Sequence, residues 1–559
     1  MAWHLGDLLR LAMAKAPSDR PAVIDAYTGR QLTWGELTER SRRLCGLMQT
    51  LGIERGDKVA IYARNSIEYV EAVIAILQIG AIHVNVNYRY TAKELAYIFA
   101  NSDSKAVFYQ AGFQDNLAAI LPELPGLSVL IEQDGDGRPT SPWWGDRTHC
   151  RFEETLNQKQ PEPEYSSNPE DQFFMYTGGT TGLPKGVMWS QDKLFQMFGI
   201  NYFCAEGPKQ PQSVEAVLEM YRRGEHYTEM VIAPMMHGLG VYSLLPTLAF
   251  GGTVVTSSAS RFIAADAWDA IGRYGVKALK IPGDAMGKPL LEALEQRDSV
   301  ADLEGFAMMI SSAAVFSMHI KRKLVERLPN LQLLDILGGS ESAALGHAAM
   351  NRQSAGSSEG RSLKLQIGEF VRVFTADHRE VAPSSGEVGM IARRGLIADG
   401  YYKDPERTAK TFPVINGERY CLLGDWGEVL ADGTVRFLGR GNVCINTGGE
   451  KVFPEEVEQC LKALPGIADS CVVGVHDARW GSAVTALIEP VAGADIVPAE
   501  LHRALSGQLA DYKVPKHYVV VDTVGRGPNG KLDYQTLQRL AIVAVVEGAL
   551  VKGWRLLNR

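Results

Sequence analysis

Between Met175 and Ser190 the chain reads MYTGGTTGLPKGVMWS, a short run with four glycines, four Ser/Thr hydroxyls and one lysine. Glycines at 178, 179 and 182 permit positive φ and leave backbone N–H groups open to an anion. Thr177, Thr180 and Thr181 add hydroxyl donors and Lys185 adds a point charge, so the run has the make-up of a phosphate-binding loop. It is not the G-x-x-x-x-G-K-[ST] loop. Leu183 and Pro184 separate Gly182 from Lys185, and Gly186 stands where a hydroxyl would hold magnesium. Pro184 also opposes a helix starting at the lysine. The flanks DQFFMY and GVMWS read as buried strands, so the loop joins two strands. The alternative is a plain glycine-rich hairpin turn, against which three threonines and a lysine argue.

A loop of this kind needs rigid elements to hold it, and the chain supplies them by alternation. DKVAIYA (57–63), AVFYQ (106–110), SVLIE (128–132), TEMVIAP (228–234) and GTVVTS (252–257) are β-rich runs. The segments 66–80 and 264–275 have helical period and end at glycine. Such alternation predicts an α/β fold with largely parallel sheets. Segments 133–150 and 206–226 read as surface insertions. From Gly386 short strands with turns (GEVGMIARRG, ADGTVRFLGR) predict a small β-rich subdomain, and after Arg440 a new α/β unit begins with SCVVGVHD and SAVTALIEP as strands.

At 559 residues the chain exceeds one core. A net charge of −8 without a basic block argues against a nucleic-acid partner. Seven scattered cysteines, with no C-x-x-C pair, suit a reducing cytosol and exclude a disulfide frame. The first residues form an amphipathic helix pattern broken by His4, Asp7 and Arg10, not a signal peptide. The run LAIVAVV from Leu540 is too short to span a bilayer. It is read as buried or self-associating in a homodimer, with peripheral membrane contact as the alternative. The expected location is cytoplasmic.

Further along the chain stand GYYKDPERTAKTF (400–412), GDWGEVLADGTVRFLGR (424–440), INTGGEKVFPEEVE (445–458) and PNGKLD (528–533). Together with YTGGTTGLPKGV, LTWGEL (32–37) and GDKVAI (56–61), this ordered set resembles the adenylate-forming superfamily, which includes acyl-CoA synthetases, luciferases and peptide-synthetase adenylation domains. The resemblance spans nearly the whole chain. It implies a large N-terminal domain (1–440) of two parallel-type αβ sheets plus the β-rich subdomain, followed by a smaller, mobile α+β C-terminal domain (441–559). It also implies the reaction. A carboxylate attacks the α-phosphate of ATP with Mg2+ and releases pyrophosphate, and coenzyme A thiolate then displaces AMP.

Residue by residue, the resemblance assigns the β- and γ-phosphates to Thr177, Gly178, Gly179, Thr180, Thr181, Gly182 and Lys185. The ribose goes to Asp425 and Arg440, with a buried structural ion pair as the bland alternative. LLDILGGSESA (333–343) stands in place of the family's Y-G-x-T-E motif. Ser340 and Glu341 match its Thr-Glu, Glu341 being the expected magnesium ligand. Leu337, followed by Gly338, replaces the aromatic that usually stacks on adenine, and Asp335 is expected to accept from the adenine amino group. SSAAVFS, including Ser312 and Ala313, resembles the opposite wall of the purine site. Catalysis falls to Lys531, Glu341, Thr181 and His237. Gly448, Gly449, Glu450 and Lys451 resemble the loop presented to the pantetheine thiol in the second conformation, with Asn442 as the hinge.

His237 in VIAPMMHGLGVYSLLPTLAFGG reads as a gate or carboxylate-orienting group, or as a core histidine satisfied by backbone. Gly238, Gly240, Ala313 and Ala314 are small at segments around the acyl group, which predicts volume for a large apolar acid. Several motifs most resemble bacterial ligases acting on steroid side chains or related branched fatty acids. Two alternatives stay open: transfer to a carrier-protein thiol, and a non-catalytic acyl or nucleotide binder.

Overall fold

The computed structural model describes the chain except residues 1–2, 134–142, 166, 180–181, 204–212, 225–227, 356–363, 448–449, 478–480, 528–529, 547–553 and 558–559, and except the side chains at 179, 182, 199–203, 442, 451 and 546. The helix Ile67–Gln78 begins where the Ser66 hydroxyl accepts from the Tyr69 N–H, and every one of its residues is buried. Being apolar on nearly all faces, it needs cover on all of them. One apolar cluster supplies this, running from sheet to sheet through this helix, Leu5–Lys15, Trp34–Thr50 and Gly238–Ala249. The helix's two buried carboxylates, Glu68 and Glu71, are held by Arg30 and Arg40.

Two eight-stranded sheets enclose those helices. In one, Gln332–Gly339, Met308–Ser311, Ala278–Ile281, Thr228–Met230, Thr253–Thr256 and Pro21–Asp25 run parallel, with antiparallel strands at both edges. In the other, Gln172–Gly179, Ile82–Asn85, Lys58–Tyr62, Ser104–Gln110, Val129–Gln133 and Thr148–Arg151 are parallel. There Gln172–Gly179 turns back on Gly182–Ser190, pairing Thr177 with Lys185 and Gly179 with Gly182. The glycine-rich run is therefore the tip of a strand–loop–strand hairpin, as its flanks predict. The β-rich sheet begins earlier than expected, recruiting Val371–Phe374 beside Val388–Arg394, Glu418–Val429 and Val435–Arg440. Beyond it, Ile467–Asp477, Gly481–Pro490, His517–Val521 and Trp554–Leu557 form a four-stranded sheet with two apolar clusters of its own.

Two sequence expectations change, and the expected burial of the apolar tail is met in part. The supposed insertion 206–226 contains a helix, Val214–Arg223, that sends Val217 and Met220 into the main core. The one at 133–150 ends in Thr148–Arg151, which extends the second sheet. Along Tyr534–Val546, Leu537, Ala541 and Ala544 are buried against the last sheet, so part of the apolar tail packs inside its own unit. Among the described residues, no helix is long and apolar enough to cross a membrane.

Gly240 also has a different task from the one expected. A Cβ there would lie 2.5 Å from the Pro234 carbonyl oxygen and 2.7 Å from both the Ala233 carbonyl oxygen and the Met235 Cα. This glycine permits a helix to press onto a backbone turn, and it opens no volume for a ligand. At Gly238 a Cβ would meet only the Tyr242 ring, at 3.2 Å and beyond, and the Ser340 hydroxyl at 3.6 Å. Gly240→Ala is expected to cost roughly 1–3 kcal/mol, the scale of overpacking against atoms that cannot yield, while Gly238→Ala costs much less. Urea unfolding midpoints of the two variants check this.

Candidate active site

A cavity of about 490 Å3 opens where the hairpin around Thr177 and Lys185, the turn after Gln332–Gly339, the start of helix Gly238–Ala249 and Lys531 converge. Thr177, Gly178, Lys185, His237, Ser312, Ala313, Gly338, Ser340, Glu341, Arg440 and Lys531 all line it. Lys531 comes from the far end of the chain. Its approach depends on Gly530, at φ +72°, where a Cβ would sit 2.6 Å from Ala314 Cβ and 2.9 Å from the Pro282 carbonyl oxygen. A second contact, Lys462 Nζ to Asp284 Oδ2 at 3.4 Å, fastens the last unit to the first. A neighbouring cavity of about 210 Å3 is lined by Asp335, Leu337 and Asp425 and shares Ala313, Gly338, Arg440 and Lys531 with the larger one.

The turn carrying Ser340 and Glu341 is held by backbone crowding and by its neighbours. A Cβ at Gly338 would lie 2.2 Å from the Ala343 carbonyl oxygen, beside a bulge between Leu337 and Gly338. Trp189 Nε1 donates to the Ser340 carbonyl oxygen at 2.7 Å. Glu341 is 8% exposed, and its Oε1 accepts from the Tyr401 hydroxyl at 2.8 Å and lies 3.9 Å from Lys185 Nζ. Lys185 also sits 4.6 Å from the Tyr401 ring centroid. Tyr401 thus joins the carboxylate and the lysine.

Burial governs the electrostatics. The Lys185 ammonium is pushed down by desolvation, against the pull of Glu341. Lys531 is likewise pushed down by burial, with Arg440 adding to the shift. His237 falls to about 4 through burial, with the Lys531 and Arg89 cations assisting, so its ring is neutral at pH 7. Asp425 is fully buried, accepts from Arg440 Nε at 3.1 Å and is pushed up by desolvation against that cation. Its Oδ2 is buried with no hydrogen-bond partner. An unsatisfied buried carboxylate oxygen facing a cavity is suited to accept from a diol. Glu341 is the one carboxylate at the turn, and no group of three metal-ligating side chains occurs among the described residues. A divalent ion here would fit as a hard cation taking one protein oxygen, with its other ligands from phosphate and water.

Some expected residues have other employment. The Ser312 hydroxyl donates to the Ile336 carbonyl oxygen at 2.9 Å. Asp335 Oδ2 accepts from the buried Lys321 at 2.7 Å, which leaves only Oδ1 to a ligand. Ala314 packs on Gly530 and borders the smaller cavity, so it adds no acyl volume. Glu450 and Lys451 pair with Thr447 and Asn446 in a short hairpin. Thr180, Thr181, Gly448 and Gly449 lie outside the described residues, and Gly179 and Gly182 are placed by their pairing alone. Tyr401, Lys321 and Trp189 were not legible as site residues. Tyr401 and Trp189 lay in motifs already singled out, but their contacts to Glu341 and Ser340 are distant in sequence, and Lys321 lay in no motif.

Residues 9–402 match the model of the AMP-binding enzyme family, and residues 456–531 match that of the AMP-binding enzyme C-terminal domain. The chain is 39% identical over 546 residues to a 3-oxocholest-4-en-26-oate–CoA ligase of Rhodococcus rhodochrous, covering 96% of this chain and 95% of the relative. It is 38% identical over 541 residues to a medium/long-chain-fatty-acid–CoA/3-oxocholest-4-en-26-oate–CoA ligase of Mycobacterium tuberculosis, covering 96% and 95%. The fold is shared with ATP-bound MatB from Rhodopseudomonas palustris (TM-score 0.78, 24% identity, 97% of this chain and 99% of that one). An anthranilate CoA ligase, AuaEII, in complex with anthranoyl-AMP has the same fold (TM-score 0.80, 19% identity, 98% of both chains). With both family models matched in order and relatives aligned over nearly its full length, this chain belongs to the AMP-binding enzyme family.

Proposed function

We propose that the chain converts a large apolar carboxylic acid, of the steroid side-chain or medium- to long-chain fatty class, into its coenzyme A thioester through an acyl-adenylate. The observation that carries this reading is the meeting of Lys531 with Glu341, His237, Thr177 and Lys185 around one cavity. In the first half-reaction the carboxylate attacks the α-phosphorus of ATP and pyrophosphate leaves. In the second the thiolate attacks the acyl carbon and AMP leaves. Thr177, Gly178 and Lys185 hold the outgoing phosphates. Asp425 Oδ2 accepts from the ribose hydroxyls, Leu337 gives the purine an apolar wall and Asp335 Oδ1 meets its amino group. Glu341 would supply one oxygen to Mg2+, which when bound would neutralise phosphate charge. His237, being neutral, orients the carboxylate without competing for phosphate. ATP and coenzyme A are both drawn from the cytoplasm, where the reaction is placed.

The unit after Arg440 turns about the short 3₁₀ segment Gly441–Val443 between the two half-reactions, which would bring Glu450 and Lys451 toward the site. Coenzyme A, and not a carrier-protein thiol, is favoured by a second cavity of about 410 Å3 lined by Arg64, Arg89, Arg261 and Arg273, which shares Pro234 with the acyl cavity. None of the four arginines is ion-paired among the described residues. Asp266 and Asp269 share the rim, the latter held by Arg297. Arg64, Arg89 and Arg273 lie over aromatic rings, which leaves their N–H groups to suit the phosphates of the coenzyme.

Lys531→Ala is expected to lower pyrophosphate exchange by about 10²–10³-fold, as when one preorganised charge is lost, and to spare thioester formation from supplied acyl-adenylate. Equal loss in both steps would contradict the assignment. The cation is the working form, and its pKa lies below the ordinary lysine value. Adenylation is therefore present at lower pH and falls as pH rises through that depressed value. Whatever activity Lys531→Arg retains is expected to lack this alkaline fall, measured by pyrophosphate exchange across pH. Arg261→Ala and Arg89→Ala are each expected to raise KM for coenzyme A by roughly tenfold or more, the worth of a charged hydrogen bond. Steady-state titration of coenzyme A, with pyrophosphate exchange as the control, measures this.

A further inference from the structure

The inner wall of the acyl cavity is not uniformly apolar. Lys280, on the strand Ala278–Ile281, lines it beside Met197, Ala233, Met236, Tyr242 and Ile310. Its side chain is 9% exposed and lies 3.3 Å from Glu229 Oε1, a carboxylate on the neighbouring strand that is itself 1% exposed. Glu229 Oε2 accepts from the Thr247 hydroxyl at 2.6 Å. Ammonium carries three donors, and Glu229 is the only partner of Lys280 among the described residues. At least one donor is therefore left for the cavity. Tyr242 adds another spare group, since its hydroxyl is buried without a hydrogen-bond partner. Lys280 lies two residues before Pro282, which lines the same cavity together with Ser312 and Gly338. At the rise of a strand the two positions are about 7 Å apart, so Lys280 stands that far along the wall from Pro282.

A pure hydrocarbon chain filling this space would leave those donors buried and unsatisfied, at a cost that apolar contact does not recover. A second carboxylate would face Glu229, which already balances the lysine. The pair presents no net charge, only spare N–H groups on Lys280 and one carboxylate oxygen, Glu229 Oε1, without a hydrogen-bond partner. We infer that this enzyme is specific for acids carrying an uncharged oxygen, keto or hydroxyl, several carbons from the carboxylate, and that Lys280 is the residue that selects it. The inference rests on the ligase reading above and narrows its substrate class.

The test compares cholic acid with cholanic acid, which share one side chain and differ in ring hydroxyls. Wild-type enzyme is expected to favour cholic acid in kcat/KM by about tenfold or more, since a site built to donate to oxygen rejects the analogue lacking it. Lys280→Met is expected to bring the ratio to about one, mainly through KM. Because that change alone strands a buried carboxylate, Lys280→Met combined with Glu229→Gln is made alongside it, and thermal shift on adding ATP confirms an intact nucleotide site. Equal or reversed preference in the wild type, or a preference unchanged in both variants, overturns the inference. If neither steroid acid reacts while octanoate supports pyrophosphate exchange, the inference falls and the ligase reading stands. Exchange with no acid at all would remove both.

Discussion

The Asp425–Arg440 pair is the interaction around which the site is arranged. Asp425 is fully buried and Arg440 reaches it across adjacent strands, in direct register, at 3.1 Å. A buried carboxylate is tolerated only when its charge and lone pairs are met, and here one oxygen is met and the other is not. The unmet oxygen makes the smaller cavity receptive to hydroxyl donors. The arginine in turn is the last residue before the turn Gly441–Val443 that leads into the C-terminal unit. The proposed nucleotide contact and the joint between the units are thus one structural feature.

The same logic of incomplete satisfaction runs through the larger cavity. Lys185, Glu341 and Tyr401 are linked to one another, yet the two lysines, 185 and 531, are both depressed by burial and each gains from an incoming anion. A triphosphate supplies the charge the cavity lacks. Rigid surroundings hold the groups in place beforehand: the backbone crowding at Gly338, the Trp189 bond to Ser340 and the close fit of Gly530 on Ala314. Preorganised charge of this kind acts without reorganisation during the reaction.

The acyl side follows a different rule. Its volume does not come from the small residues that suggested it. Gly240 and Ala314 are small because backbone or another unit presses against them. The space is bounded instead by the start of the helix Gly238–Ala249 and by strand residues such as Lys280, Ile310 and Ile336, which set its character. Smallness read from a sequence does not separate a ligand's room from a neighbour's close approach, since both select the same residue types.

The local pattern of the chain determined most of the fold. Helical and strand periodicities placed Ile67–Gln78, Ala264–Tyr274 and the parallel strands, because side-chain burial repeats along each element by its own geometry. The hairpin around MYTGGTTGLPKGVMWS was legible for the same reason, as were Glu341, Asp425, Arg440 and Lys531, which stand in short ordered motifs. Tertiary structure alone decided what those groups touch. It gave Asp335 to Lys321, tied Ser312 to a carbonyl, placed Tyr401 between Glu341 and Lys185, and set Lys280 beside Glu229 in an otherwise apolar wall. Each of these is a contact between residues on separate elements. Sequence spacing carries no information about such contacts until sheet order and register bring the elements side by side.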